Sequence, residues 1–349
     1  MTIPPGAEIR RVMVAVARGK AVVLEGRGVN SSYLVADGHR QVGVKVHCPS
    51  RSSAVELRRI QHVDRALQGA AWYPPLIDLG FYELDTEHPV LVAIRPFSVG
   101  APSEDPRHLL GEVTEILGDL AARGAGIEVA NDLIGDYASP WLSDRRMERG
   151  MASGFLAAQW PDLAEAVDVH ISDLRTSAQR LTRPESLAVY HGDLHGRNLI
   201  FGGSRQRTVI DWDEAGFSRR PADAGKTLWL SCREGRGDFV LRPAAVQHYL
   251  ERMHTVLHLP YANACDLAKL GAMWFLPKSD HLTLLEQRDS ALASWYLQWI
   301  SGFWSRYRRN LNVVSRVAAV LEQGARSDLR PTSVTEARRA TRTRHRVPR

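Results

Sequence analysis

Residues 190–201 read Tyr-His-Gly-Asp-Leu-His-Gly-Arg-Asn-Leu-Ile-Phe, and residues 210–216 read Ile-Asp-Trp-Asp-Glu-Ala-Gly. His191 opens the first stretch, Asp193 stands two residues on, Asn198 five after that, and Asp211 follows an apolar run. Leu199-Ile200-Phe201 and Val209-Ile210 have the composition of two short paired strands, with residues 202–207 as the turn between them. Such a hairpin returns Asp211 to the side of Asn198. An acid, an amide and a second acid then converge on one point.

That set suits phosphoryl transfer, in which a protein mainly positions groups and neutralises charge. Asp193 fits the base that orients an attacking hydroxyl, because a carboxylate in a metal-bearing site stays ionised and can accept a proton. Asn198 and Asp211 offer the hard oxygens that magnesium favours. The order His-x-Asp-x-x-x-x-Asn, apolar strand, Asp follows the logic of the protein-kinase catalytic loop and its metal-binding Asp. Its middle, His191-Gly192-Asp193-Leu194-His195 with Ile210-Asp211-Trp212-Asp213, resembles the aminoglycoside phosphotransferases and their choline-kinase-like relatives. That superfamily commonly reads His-Gly-Asp-Leu-His-Pro-Gly-Asn; here Gly196-Arg197 replaces Pro-Gly and sets a cation, Arg197, near the phosphates.

The resemblance spans roughly residues 22–230 and implies an α+β, bilobal protein-kinase-like fold, with ATP or GTP and magnesium as cofactors. It makes Lys45 the phosphate-binding lysine and Glu56 its ion-pair partner. The 26–32 loop, with Gly28, Asn30 and Ser31, would cover the nucleotide, and the 94–98 segment, with Ile94 and Phe97, would read the nucleobase through its backbone. Asp223, in Pro221-Ala222-Asp223-Ala224, would brace the catalytic loop; Ala224 stands where the family has Leu. His191, His195, Arg197 and Asp213 are supporting residues. Plainer readings stand beside these. Lys45 alone is a solvated strand lysine, Asp223 alone a helix N-cap, and His195 alone an orienter of the loop. Asp213 and Glu214 are equally readable as surface acids.

The chain around the motif divides as the resemblance requires. Residues 7–17 have helical spacing, short strand patterns lie at 21–24, 33–36, 41–47, 74–82 and 90–97, and a helix pattern covers 52–67. This β-β-β-α-β-β order predicts a small antiparallel-sheet lobe over 1–97. Helix patterns at 109–122, 146–158, 163–180, 224–232, 244–258, 263–275 and 284–310 predict a helical lobe over 98–323. Residues 324–349 carry the entire net charge of +6, with eight arginines against Asp328 and Glu336, and their composition predicts a disordered tail. The body is therefore no polycation, which argues against nucleic acid as a partner.

No apolar run is long enough to predict a membrane span, and the N-terminus has no signal-peptide pattern. Cys48, Cys232 and Cys265 are scattered, as expected of reduced thiols in a cytoplasm. Nothing in the sequence sets the oligomeric state.

The expected partner is a small hydroxylated acceptor, foremost an antibiotic such as an aminoglycoside. Residues 99–185, with fifteen acids against eight arginines, suit such a polycation; residues 224–323, with twelve Lys/Arg against eight acids, do not. A nucleoside or peptide antibiotic, a macrolide, a sugar or an amino alcohol are the alternatives. A catalytically silent binding module is the alternative of another class. Trp295, Trp299 and Phe303 recur every four residues and read as core; Trp229, Trp274 and Trp304 are candidates for an acceptor wall.

Overall fold

The computed structural model describes residues 5–24, 30–37, 40–84, 88–102, 105–142, 160–202, 207–235 and 237–328. Helix α1 (Pro5–Ala17) precedes a five-stranded antiparallel sheet of β1 (Val22–Leu24), β2 (Ser31–Asp37), β3 (Arg40–Val46), β4 (Asp78–Tyr82) and β5 (Val90–Pro96), in the order β1-β2-β3-β5-β4. Alternation turns Val42 and Val44 of β3 inward, where Val35, Val92 and Ile94 meet Val12, Met13 and Val16 of α1. Lys45, on the opposite phase of β3, pairs in register with Ser32 on one side and Ala93 on the other.

Helix α2 (Ala54–Leu67) starts at Ser53, whose hydroxyl accepts the Glu56 N–H at 3.1 Å, a Ser-x-x-Glu start that satisfies an otherwise orphaned donor. Its C-terminal half does not join the small core. Val63 and Leu67, with Trp72 and Tyr73 beyond them, pack into the larger core of the helical lobe.

That lobe contains α3 (Pro106–Gly124), α4 (Pro161–Arg180), α5 (Ala222–Ser231), α6 (Pro243–Leu257), α7 (Ala264–Ala272), α8 (Ser279–Arg288), α9 (Ser290–Trp304) and α10 (Tyr307–Asp328). Three short antiparallel pairs accompany them: β6 (Ala188–Tyr190) with β9 (Gly216–Ser218), β7 (Leu199–Phe201) with β8 (Arg207–Val209), and β10 (Arg233–Gly235) with β11 (Asp238–Leu241). Helices α5 and α7 cross at Gly225 and Gly271. A Cβ on Gly271 would fall within bonding range of the Gly225 carbonyl, so only glycine permits this backbone contact.

The α+β, two-lobed arrangement agrees with the expectation from sequence. The 284–310 pattern, however, is not one helix. It is divided between α8, α9 and α10: Asp289 is extended (φ −168°) and its carboxylate caps α9 by accepting the Ala291 N–H at 2.9 Å, and a turn at Ser305 and Arg306 separates α9 from α10. The last helix runs through residues 324–328, the beginning of the expected tail; residues 329–349 and the helix expected at 146–158 lie outside the described residues. Among the described residues, no helix is long and apolar enough to cross a membrane. Phe303, Trp229 and Trp304 are core, whereas Trp299 is half-buried and Trp295 is 36% exposed.

Candidate active site

Residues 191–198 link β6 to β7, and the loop is held at both ends. The Ile210 N–H donates to the Asn198 carbonyl at 2.8 Å, which places Asp211 beside Asn198 as the hairpin predicts. His191 is fully buried. Its Nδ1 accepts the Asp193 N–H at 3.1 Å, leaving Nε2–H to donate to the Ile210 carbonyl at 2.9 Å; burial holds this imidazole below its ordinary pKa, in the neutral form. Its ring packs at 4.4 Å on Trp212, which in turn meets Tyr73 edge-on at 4.9 Å.

Gly192 has φ 84°, and a side chain there would come within 2.6 Å of Glu214 Cβ. Behind it, the Asp223 carboxylate accepts the N–H groups of both His191 and Gly192, the latter at 2.8 Å. This is the bracing contact implied by the family resemblance. Asp223 makes no capping bond to its own helix. Burial pushes its carboxyl up, against the opposing pull of His191 and the two N–H donors.

Asp193 keeps 30% of its side chain open, yet both carboxylate oxygens have partners. The Lys226 Nζ lies 2.8 Å from Oδ1; Asn198 Nδ2 donates to Oδ2 at 3.3 Å, and His195 Nε2 faces Oδ2 at 3.6 Å. Burial would raise this carboxyl, but the Lys226 ammonium and His195 outweigh it and hold Asp193 well below the usual carboxylate range. His195 Nδ1 accepts the Arg197 N–H at 3.1 Å, so His195 orders the turn that carries Arg197, whose own side chain is exposed.

Lys226 is the functional candidate that sequence reasoning missed. It lies on α5, 0% exposed, donates to the Gly192 carbonyl as well as to Asp193, and has its Nζ 3.6 Å above the Trp274 ring. Its signal in the sequence was a lone lysine opening the apolar run Thr227-Leu228-Trp229-Leu230.

On the other side of the loop, Lys45 Nζ lies 3.1 Å from Asp211 and 2.7 Å from Asp213. Although burial opposes it, these two carboxylates raise the ammonium's pKa. Asn30 donates to Asp213 at 2.8 Å and accepts the Cys48 N–H at 3.1 Å, so Asp213 is a half-buried partner and no surface acid. Lys45 and Asn30 hold the Asp213 carboxyl down against burial. Asp211, whose side chain stays 43% exposed, is pushed up by desolvation in the cluster and by the Asp213 charge beside it. Asp211 also has φ 66°, a left-handed conformation that Asp tolerates better than most residues.

The expected Lys45–Glu56 pair does not form. Arg59, one turn along α2, presents its fork to both oxygens of Glu56 and also donates to the Asp213 carbonyl at 2.9 Å. The Ile94 carbonyl and the Phe97 N–H, expected to read the nucleobase, are bonded to Ile77 (2.8 Å) and Gln41 (3.1 Å) within the small lobe. Ser31 opens β2 opposite Val46, and Gly28 lies outside the described residues.

The donor set fits magnesium. The Asn198 amide donates toward Asp193, at 2.9 Å to its carbonyl, which turns Asn198 Oδ1 the other way. Asp211 uses only Oδ1 on Lys45. Two hard oxygens on adjacent residues of one hairpin are thus left to ligate a cation that takes its other ligands from phosphates and water. Among the described residues, no three His, Cys, Asp or Glu side chains converge to hold a metal ion by themselves.

Comparison with known proteins agrees with this geometry. The sequence profile of a phosphotransferase enzyme family matches residues 21–257. No curated protein matches the chain in sequence. Among solved structures, a microcompartment-associated aminopropanol kinase superposes with a TM-score of 0.60 at 17% identity, over 87% of this chain and 99% of its own. An amicoumacin kinase bound to AMP-PNP and Ca2+ gives 0.57 at 13%, over 84% and 92%. A spectinomycin phosphotransferase bound to ADP and spectinomycin gives 0.54 at 14%, over 87% and 93%. At these identities the likeness establishes a kinase-like fold.

Proposed function

Because this chain belongs to the phosphotransferase enzyme family, and is a small-molecule kinase, we propose that it transfers the γ-phosphoryl group of ATP or GTP to a hydroxyl of an antibiotic such as an aminoglycoside, as a cytoplasmic resistance or self-protection enzyme. The observation that carries the reaction is Asp193. It is an ionised, partly open carboxylate on the loop that carries Asn198, and the β7–β8 hairpin returns Asp211 to the side of Asn198.

In this reading Lys45 fixes the outer phosphates and Asp193 orients the acceptor hydroxyl. The hydroxyl oxygen bonds to the γ-phosphorus as the bond to the bridging oxygen breaks, and Asp193 accepts the released proton; the products are a phosphate monoester and the nucleoside diphosphate. Magnesium held by Asn198 and Asp211 would supply positive charge between phosphate oxygens.

The acidic 99–185 segment supports a polycationic acceptor, and the antibiotics named in two of the related structures support an antibiotic. An amino alcohol is the second reading, favoured by the TM-score of 0.60 to the aminopropanol kinase. Nucleotide consumption across aminoglycosides, other antibiotics and amino alcohols, with product mass rising by one phosphate, separates them. Asp193→Asn is expected to abolish transfer while leaving nucleotide binding intact; retained transfer would overturn the role of Asp193.

A further inference from the structure

Lys226 is a buried cation that the reaction as written above does not use. Taking an ammonium out of water is costly unless its donors are satisfied, and here they are satisfied in an unusual way. One N–H goes to Asp193 Oδ1 at 2.8 Å, one to the Gly192 carbonyl, and the Nζ lies 3.6 Å from the centroid of Trp274. An ammonium has three donors, so two hydrogen bonds and a π face leave none directed at a phosphate.

Helix α5 does not need this lysine to stay docked. Thr227 Oγ1 donates to the Leu194 carbonyl at 2.8 Å, Trp229 Nε1 to Ala268 at 2.7 Å, Tyr249 Oη to Ala224 at 2.6 Å, and Gly225 lies on Gly271. Trp274, for its part, holds its ring against the ammonium while its own indole N–H is buried with no hydrogen-bond partner. The indole is placed to suit the lysine.

We propose that Lys226, backed by the Trp274 face, is a positioning residue for the phosphoryl-transfer reaction: it pins Oδ1 of Asp193 so that Oδ2 is the oxygen presented to the acceptor. This rests on the phosphotransferase reading of Asp193. With Oδ1 committed to Lys226, the remaining contacts of Asp193, Asn198 at 3.3 Å and His195 at 3.6 Å, both lie at Oδ2, on the side of the metal-ligand candidates. Without the lysine the carboxylate is free to rotate, and its charge adds to those of Asp211 and Asp213 instead of being balanced from behind.

The test compares Lys226→Met, Lys226→Arg and Lys226→Ala with Asp193→Asn. Phosphate release from MgATP to water is read alongside transfer to any acceptor that the panel identifies. Misplacing a reacting group by about 1 Å costs on the order of 100-fold in rate. Lys226→Met is therefore expected to lose about that factor in kcat, with the KM and Kd for nucleotide unchanged. Lys226→Arg keeps the charge on Asp193 and should retain at least roughly tenfold more activity than Lys226→Met, which keeps the proposal testable if the Met protein does not fold. Ethylammonium added to Lys226→Ala should restore part of the rate, and tetramethylammonium, which has no N–H to donate, should not.

A wild-type kcat in Lys226→Met, or a loss that follows nucleotide affinity and melting temperature with no rescue, overturns the proposal. Equal rates in wild type and Asp193→Asn instead overturn the role of Asp193 on which this proposal rests. A defect in Asp193→Asn without one in Lys226→Met removes only the role of Lys226.

Discussion

Two lysines approach the catalytic loop from opposite sides, and their surroundings are nearly opposite. Lys45 extends from the small lobe, 24% exposed, and divides its charge between Asp211 and Asp213. Lys226 rises from α5 with no exposure and forms its ion pair with Asp193. The Lys45 side is an open cluster in which two carboxylates share one ammonium. The α5 side is a closed one, with the Lys226 ammonium held by Asp193, the Gly192 carbonyl and the Trp274 face. In the proposed reaction the Lys45 side serves the nucleotide and the Lys226 side the hydroxyl, and variants on each side separate the two.

The largest effect is expected from the open side. Lys45→Ala should lower kcat/KM for nucleotide by about 10²–10³-fold, the usual loss when a charge-stabilising donor is removed. Steady-state kinetics should place that loss in the nucleotide terms and leave the acceptor KM unchanged; the reverse pattern breaks the division of labour.

A smaller but still large effect is expected from the scaffold of the closed side. Gly271→Val forces α5 and α7 apart where their backbones touch, and overpacking of this kind costs about 1–3 kcal/mol. Thermal unfolding should show a lower Tm. Because Asp223 and Lys226 both sit on α5, kcat should fall more than nucleotide affinity; an equal fall in both would show that the two sides are not mechanically separate.

The smallest effect is on pH dependence. His47 and His191, one on each side, are buried, and burial holds both below the ordinary imidazole range. The folded protein favours their neutral forms, while the unfolded chain takes up protons near pH 6.5. Their contribution is complete above about pH 6.5 and is lost as pH falls below it, toward the depressed folded values. Melting temperature should therefore drop between about pH 7.5 and pH 5, on the order of 2–4 °C for each kcal/mol lost. His47→Gln should lessen the drop, and a Tm that rises on acidification would contradict the assignment of both rings as neutral.

What the sequence disclosed follows the same divide. Asp193, Asn198 and Asp211 were legible because their relation is set by a single loop and hairpin, where spacing translates directly into position. Asp223 was legible through its motif. The Lys45–Glu56 pair failed because the rival partner was local: Arg59 stands one helical turn from Glu56, an i,i+3 relation visible in the sequence but outweighed by the resemblance. Lys226 was hidden for the opposite reason. Its sequence neighbour Asp223 offers an ordinary i,i+3 surface pair, while its actual partner lies 33 positions upstream and is reached only through the packing of α5 on the loop. The single-helix reading of 284–310 failed at Asp289 and at the 305–306 turn, since periodicity continues across both although the backbone does not.

The crossing of Gly225 and Gly271 bears on how this protein can change over generations. A side chain at Gly271 would meet the backbone of α5 one residue before Lys226. Mutational drift at such a pair is closed to single steps. The helices of the acceptor side can diversify around it to suit new substrates, while the support behind the catalytic loop is inherited unchanged.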